Sequence, residues 1–171
     1  DNDNNPDPPN TTFDHGTHCA GSASATTNNS IACAGIGWST KIIAVKATGN
    51  ASSPTSVTNG YGGVSYAAAA NADVISLSWG GTSSSQTAQN VITAAWNAGS
   101  VVVAAAGNSG VNQLHYPSAY TNCVAVASTG SSDAKSSFSN YGTWIDVCAP
   151  GENIRSTIPT NLYGYMSGTS M

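Results

Sequence analysis

Apolar and small residues recur along this chain in short blocks of alternating character. The block 101–106, Val-Val-Val-Ala-Ala-Ala, is continuous, stands between Gly99 and Gly107, and predicts a fully buried strand. Just before it, Ala88, Val91, Ile92, Ala95 and Trp96 fall on one face of a helix that Gly99 stops. The rhythm begins earlier, with a buried-strand run at 42–47, an alanine-rich helix at 64–72 and a strand at 74–79. A further short strand follows at 124–128, and 145–151 then leads back toward the edge where the strands end. Strand, helix, strand in this order implies an α/β domain with a parallel sheet and right-handed crossovers.

Ligands in such sheets bind beyond the carboxyl ends of the strands. Those ends carry Ser78, Trp79, Gly80 and Gly81 in one place and Gly107 and Asn108 in another. Ser78, Trp79 and Gly80 offer an open backbone edge along which an extended peptide could pair as an added strand. Residues 15–25 read as a slim helix, kept narrow by Gly16, Ala20 and Gly21 and opened by Asp14, with His15 in its first turn. Residues 26–33 interrupt that helix with amides and no apolar period, as a loop curling around something does.

Composition narrows the partners. The 171 residues allow one domain with a real core, and 40% are hydrophobic. Only 7% are charged, against about 25% in ordinary soluble domains. With four Lys and Arg in all, no basic patch can neutralise phosphates or anionic lipid, which argues against nucleic-acid and membrane partners. No apolar run approaches the length needed to cross a bilayer, and localisation is not written in these residues. Cys19, Cys33, Cys123 and Cys148 have no metal-pair spacing; the last three could include one disulfide, but the sequence does not choose the pair.

The N-terminal loop gathers Asp1, Asp3 and Asp7 within seven residues, either as a solvated tail or as a calcium cradle. It is not an EF-hand, since Pro6 stands where that motif needs glycine and Thr12 where it needs glutamate.

Little else in the chain can do chemistry except His15, in Asp14-His15-Gly16-Thr17-His18-Cys19, and Ser170, in the glycine turn Ser167-Gly168-Thr169-Ser170-Met171. Together they read as a general base and its nucleophile. The alternative, His15 and His18 as metal ligands one helical turn apart, has no glutamate or third ligand to support it.

The motifs His-Gly-Thr-His, Ala-Ala-Gly-Asn and Gly-Thr-Ser-Met, in that order, resemble the subtilisin-like serine proteases, and within them the thermitase-like members. The resemblance covers nearly the whole of 1–171 and implies a three-layer αβα fold with a mostly parallel central sheet, this chain being part of its catalytic domain. It implies a serine endopeptidase acting through an acyl-enzyme on polypeptides, in which His15 is the base, Ser170 the nucleophile and Asn108 the side-chain donor of the oxyanion hole. The triad aspartate of the family ends a buried strand; no such segment is found here, so it is expected upstream. The last helices of the domain are expected to follow Met171. Cys19 is expected in the helix beneath His15.

The resemblance also implies a substrate cleft walled by Ser78, Trp79 and Gly80 and by Ala106 and Gly107. Trp79 would line the pocket for the side chain four before the cut, unless its ring packs in the core. His115 would lie at the floor of the first pocket, favouring large apolar or aromatic side chains and hydrogen-bonding a tyrosine hydroxyl, unless it is a surface-loop residue. Two calcium loops are implied: Asp1, Asp3, Asn5 and Asp7 in one; Thr26, Ile31 and Cys33 through carbonyls with the Asn29 side chain in the other. A secreted monomer, with a propeptide or protein inhibitor as a possible partner, completes that expectation. The alternatives are a peptide-binding relative that does not cut, and a calcium-stabilised module without cleft chemistry.

Overall fold

The computed structural model describes residues 5–171; Asp1 and Asp3 of the expected calcium loop lie outside the described residues. Helices α1 (His15–Ser24), α2 (Gly60–Ala69) and α3 (Gln86–Asn97) alternate with strands β1 (Val74–Leu77) and β2 (Val101–Ala105). Strands β3 (Val124–Thr129), β4 (Val147–Pro150), β5 (Ile154–Ile158) and β6 (Leu162–Met166) follow. β1 to β4 form one parallel sheet whose spatial order equals their chain order, with Ile75 opposite Val102, Ala104 opposite Ala125 and Ala127 opposite Cys148. This is the α/β class that the alternating blocks predict.

The core lies between this sheet and the α2–α3 pair. Ile92 and Val102 are fully buried, and Val64, Ala67, Leu77, Ala88, Ala95 and Ala104 close around them. Burying a side chain the size of Ile92 contributes about 1.5–3 kcal/mol. α3 starts where the Ser85 hydroxyl accepts from the Ala88 N–H at 3.1 Å, and ends at Gly99, whose φ of +100° is open to glycine. Trp96, expected on the buried face, is 43% exposed, although Ala95 beside it is buried.

Two expectations fail. Residues 42–47 form no strand: Ile42, Ile43 and Val45 are exposed, and the Ala47 carbonyl is taken by the Thr58 and Asn59 N–H groups. The run is apolar enough for a strand but has no ladder partner among the described residues. No disulfide forms either; all four cysteines are free. Cys148 sits opposite Ala127, four strand positions from Cys123, or about 13 Å, beyond disulfide reach.

One element was unforeseen. β5 and β6 make an antiparallel hairpin, Ile154 opposite Met166 and Ile158 opposite Leu162, turning where Thr160 and Asn161 both hold positive φ. α1 packs on β5, so the helix bearing His15 rests on the strand pair that leads into Ser170.

Candidate active site

The carboxyl ends of β1 and β2 open onto the turn that carries Ser170. Gly107, at a φ of +97°, lets the chain leave β2 beneath Asn140; an added Cβ would lie 2.5 Å from the Asn140 Nδ2. Asn140 is buried and fixes the exit loop: it donates to the Ala106 carbonyl at 2.9 Å and accepts from the Ser109 and Val111 N–H groups at 3.0 and 3.4 Å.

Asn108 is held from the other side. Its Oδ1 accepts from the Thr169 N–H at 2.9 Å and from the Thr169 hydroxyl at 3.0 Å, and that hydroxyl in turn accepts from the Gly107 N–H. With the oxygen engaged, Nδ2 is left as a donor at the exposed end of the side chain, since it meets no protein acceptor among the described residues.

Ser170 lies in a turn closed by the Met171 N–H donating to the Gly168 carbonyl. Its hydroxyl donates to the Ser78 carbonyl at 3.3 Å, and its own carbonyl accepts from the Ser78 hydroxyl at 3.0 Å and the Cys19 thiol at 3.4 Å. The Cys19 sulfur is 3.8 Å from His15 Nε2, so His15 and Ser170 flank the thiol. Burial raises the Cys19 pKa and keeps the thiol protonated. His15 keeps an edge to solvent, but burial of the rest lowers its pKa and favours the neutral ring, opposed in part by the Asp14 carboxylate. Asp14 is the N-cap residue of α1 but makes no side-chain cap.

Among the described residues no hydrogen bond joins His15 to Ser170, and no carboxylate accepts from the imidazole. His18 does not share a face with His15 as a metal pair would: it is fully buried, its Nε2 3.0 Å from the Ile154 carbonyl.

The cleft residues divide. His115 fills the slot between the two walls, its ring so close to Gly80 and Gly107 that a Cβ there would come within 2.5 and 3.0 Å of it. Burial lowers its pKa too. Its backbone is tied to the wall through Gly81 and Tyr116, which exchange hydrogen bonds of 2.8 and 2.7 Å. Ala106 is buried behind Gly107, its N–H on the Val126 carbonyl. Trp79 packs edge-on against Tyr61 at 5.2 Å and over Gly60, against the start of α2. Its neighbour on that side is therefore α2.

The calcium loops supply few donors by themselves. Asn5 Oδ1 accepts from the Asp7 N–H and Asn29 Oδ1 from the Ile31 N–H, both at local turns. No group of three or more His, Cys, Asp or Glu side chains that could hold a metal occurs among the described residues. Calcium takes six to eight oxygens, and the set expected at 26–33 consists of the Thr26, Ile31 and Cys33 carbonyls and the Asn29 side chain.

Sequence reasoning missed Thr169 and Asn140. Thr169 stood inside the Gly-Thr-Ser-Met motif and had a signal, a hydroxyl next to Ser170; Asn140, 29 to 34 residues from the groups it holds, had none.

Residues 1–171 match the subtilase family from end to end. Thermitase of Thermoactinomyces vulgaris is 51% identical over 100% of this chain and 60% of its own length. A thermophilic serine proteinase of Bacillus sp. (strain AK1) is 49% identical over 92% of the chain and 39% of its own length, and subtilisin Savinase of Lederbergia lenta 41% over 92% and 58%. The chain thus spans 60% or less of the length of these curated relatives. On both the full-length family match and the identity, the chain belongs to the subtilase family.

Proposed function

We propose that the full-length protein is a serine endopeptidase and that this chain supplies its base, its nucleophile and its oxyanion donor. The observation that carries the reading is the convergence of His15, Ser170 and Asn108 at one sheet edge, with Asn108 Oδ1 already engaged by Thr169. His15 Nε2 takes the Ser170 proton as Oγ attacks the peptide carbonyl carbon. Asn108 Nδ2 and the Ser170 N–H stabilise the oxyanion. The intermediate collapses as His15 delivers that proton to the leaving amine, and water repeats the sequence on the acyl-enzyme. Burial that keeps His15 neutral supports its role as base. The carboxylate that orients it is assigned to an aspartate outside this chain, because none of the described carboxylates accepts a hydrogen bond from it.

The acyl side of the substrate lies along Ser78, Trp79 and Gly80, opposite Ala106 and Gly107. His115, wedged between those walls, supports a first pocket that takes large apolar or aromatic side chains and offers a polar atom to tyrosine. We assign structural calcium to the loops at 1–7 and 26–33, with further oxygens from the rest of the protein, and we expect a secreted monomer that a propeptide or protein inhibitor could occupy. No helix of the described residues is long and apolar enough to cross a membrane.

A second reading, a peptide-binding relative that does not cut, is favoured by the Ser170 hydroxyl donating to Ser78 instead of His15. Catalytic hydrogen bonds often form only with substrate bound, which weighs against it. Fluorophosphonate labelling of the full-length protein, with and without calcium chelation, separates the two. Label on Ser170 that is lost in His15→Ala is the expected result, and its loss on chelation supports the calcium loops. A folded, calcium-loaded protein that takes no label is a binder.

A further inference from the structure

His18 is a buried imidazole that the chemistry above does not use. It is fully buried, and its Nε2 lies 3.0 Å from the Ile154 carbonyl, which can only accept; Nε2 therefore carries the proton. Nδ1 is then an acceptor, and it is buried with no partner among the described residues. An apolar side chain of similar volume would avoid that orphaned nitrogen, so packing alone does not call for histidine.

What histidine adds is direction. α1 buries only His18 and Gly21, and apart from the exposed His15 its other residues are small, so few side chains lock the helix in place. Polar bonds to β5 do so instead. Besides the imidazole, the Ser156 hydroxyl donates to the His18 carbonyl at 2.7 Å and the Thr157 hydroxyl to the Thr17 carbonyl at 3.0 Å. Gly21 lies so close beneath them that an added Cβ would be 2.2 Å from Thr157 Oγ1.

The link then continues to the nucleophile. Ile154 is the register partner of Met166, and the Asn153 N–H donates to the Ser167 hydroxyl at 2.9 Å. His18 stands one helical turn after His15, and Met166 stands four residues before Ser170. Of the three side-chain bonds between α1 and β5, His18's is the one that α1 itself donates, and it ends on the strand pair that leads into Ser170.

We propose that His18 is a positioning residue that sets the separation of His15 and Ser170 through Ile154 and the β5–β6 ladder; the inference rests on the serine endopeptidase reading. A misplacement of about 1 Å at reacting atoms costs on the order of a hundredfold in rate, so the loss of such a strut is measurable.

The test uses the full-length protein with His18→Leu, His18→Gln and His18→Asn. Thermal unfolding, kcat and KM on a peptide amide, and the rate of fluorophosphonate labelling are read where each variant is folded. Gln can bring an amide N–H to the Ile154 carbonyl; Asn is too short, and Leu has no donor. The expected result for Leu and Asn is a fall of about 10- to 100-fold in both kcat and labelling rate with KM unchanged within about twofold, and recovery of most of that loss in Gln. If Leu does not fold, the Gln and Asn pair decides. Gln as slow as Asn, or losses that vanish once the folded fraction is counted, overturn the proposal and leave His18 as a core residue. A wild-type protein that takes no label overturns the endopeptidase reading itself, and the positioning role with it.

Discussion

Thr169 holds Asn108 by its oxygen: the N–H and hydroxyl of one residue both end on the Oδ1 of the other, at 2.9 and 3.0 Å. The amide nitrogen is thereby fixed before any substrate arrives, which is what a pre-organised oxyanion donor requires. Asn108→Leu is expected to lower kcat by about 10²–10³ with little change in KM, the magnitude being that known for the corresponding donor of a subtilisin. Thr169→Val keeps the N–H and loses the hydroxyl, and is expected to cost about tenfold in kcat. Steady-state kinetics on a peptide amide checks both; a Thr169→Val enzyme as fast as wild type would show that the N–H alone suffices.

Asp14 sets the pH at which the base becomes available. Its carboxylate favours the imidazolium of His15 and so raises the pKa that burial lowers. Removing the charge in Asp14→Asn lowers that pKa further, and His15 becomes neutral at a lower pH. The acid limb of the kcat/KM profile is expected to move down by a few tenths of a pH unit, with an unchanged plateau. An upward shift contradicts the assignment of His15 as base.

Asn140 carries the loop that presents Asn108. Asn140→Ala leaves the Ala106 carbonyl and the Ser109 and Val111 N–H groups without their side-chain partner. A loss of about 2–4 kcal/mol is expected from urea unfolding, with an unchanged dependence on denaturant. A variant within about 0.5 kcal/mol of wild type, the usual scatter of surface substitutions, would mean that these groups find other partners.

His115 tests the first pocket. Its ring lies against both Gly80 and Gly107. Substrates with tyrosine before the scissile bond are expected to be cleaved faster than their phenylalanine counterparts, and His115→Ala is expected to remove about a five- to tenfold advantage without affecting phenylalanine. Equal cleavage of both substrates, unaltered by the substitution, would sink the hydrogen bond.

Much of this molecule is legible in its sequence where local pattern and final burial agree. The 101–106 block becomes β2 because it is apolar on both faces, and the face of Ala88, Ile92 and Ala95 becomes the buried side of α3. The block 42–47 has the same local pattern and forms no strand, since a strand also needs a neighbour to pair with and pattern cannot supply one. The β5–β6 hairpin was hidden because its strands are mixed: Ser156 and Thr157 turn their hydroxyls to α1 where an apolar alternation would have been recognised. His15, Ser170 and Asn108 lie in short motifs and could be named from them. Thr169, Asn140 and His18 act on those residues from a distance in the chain, and only the folded backbone brings them within reach.

The docking of α1 on the hairpin has a consequence for synthesis. The sheet strands lie in the order in which they are made, so each can settle on the one before it as the chain emerges. The contacts that join α1 to the hairpin and to the turn of Ser170 are different: His18 meets Ile154 across 136 positions and Cys19 meets Ser170 across 151. Contacts of such separation form late. A growing chain can therefore hold most of its core before α1 meets the hairpin and the turn of Ser170.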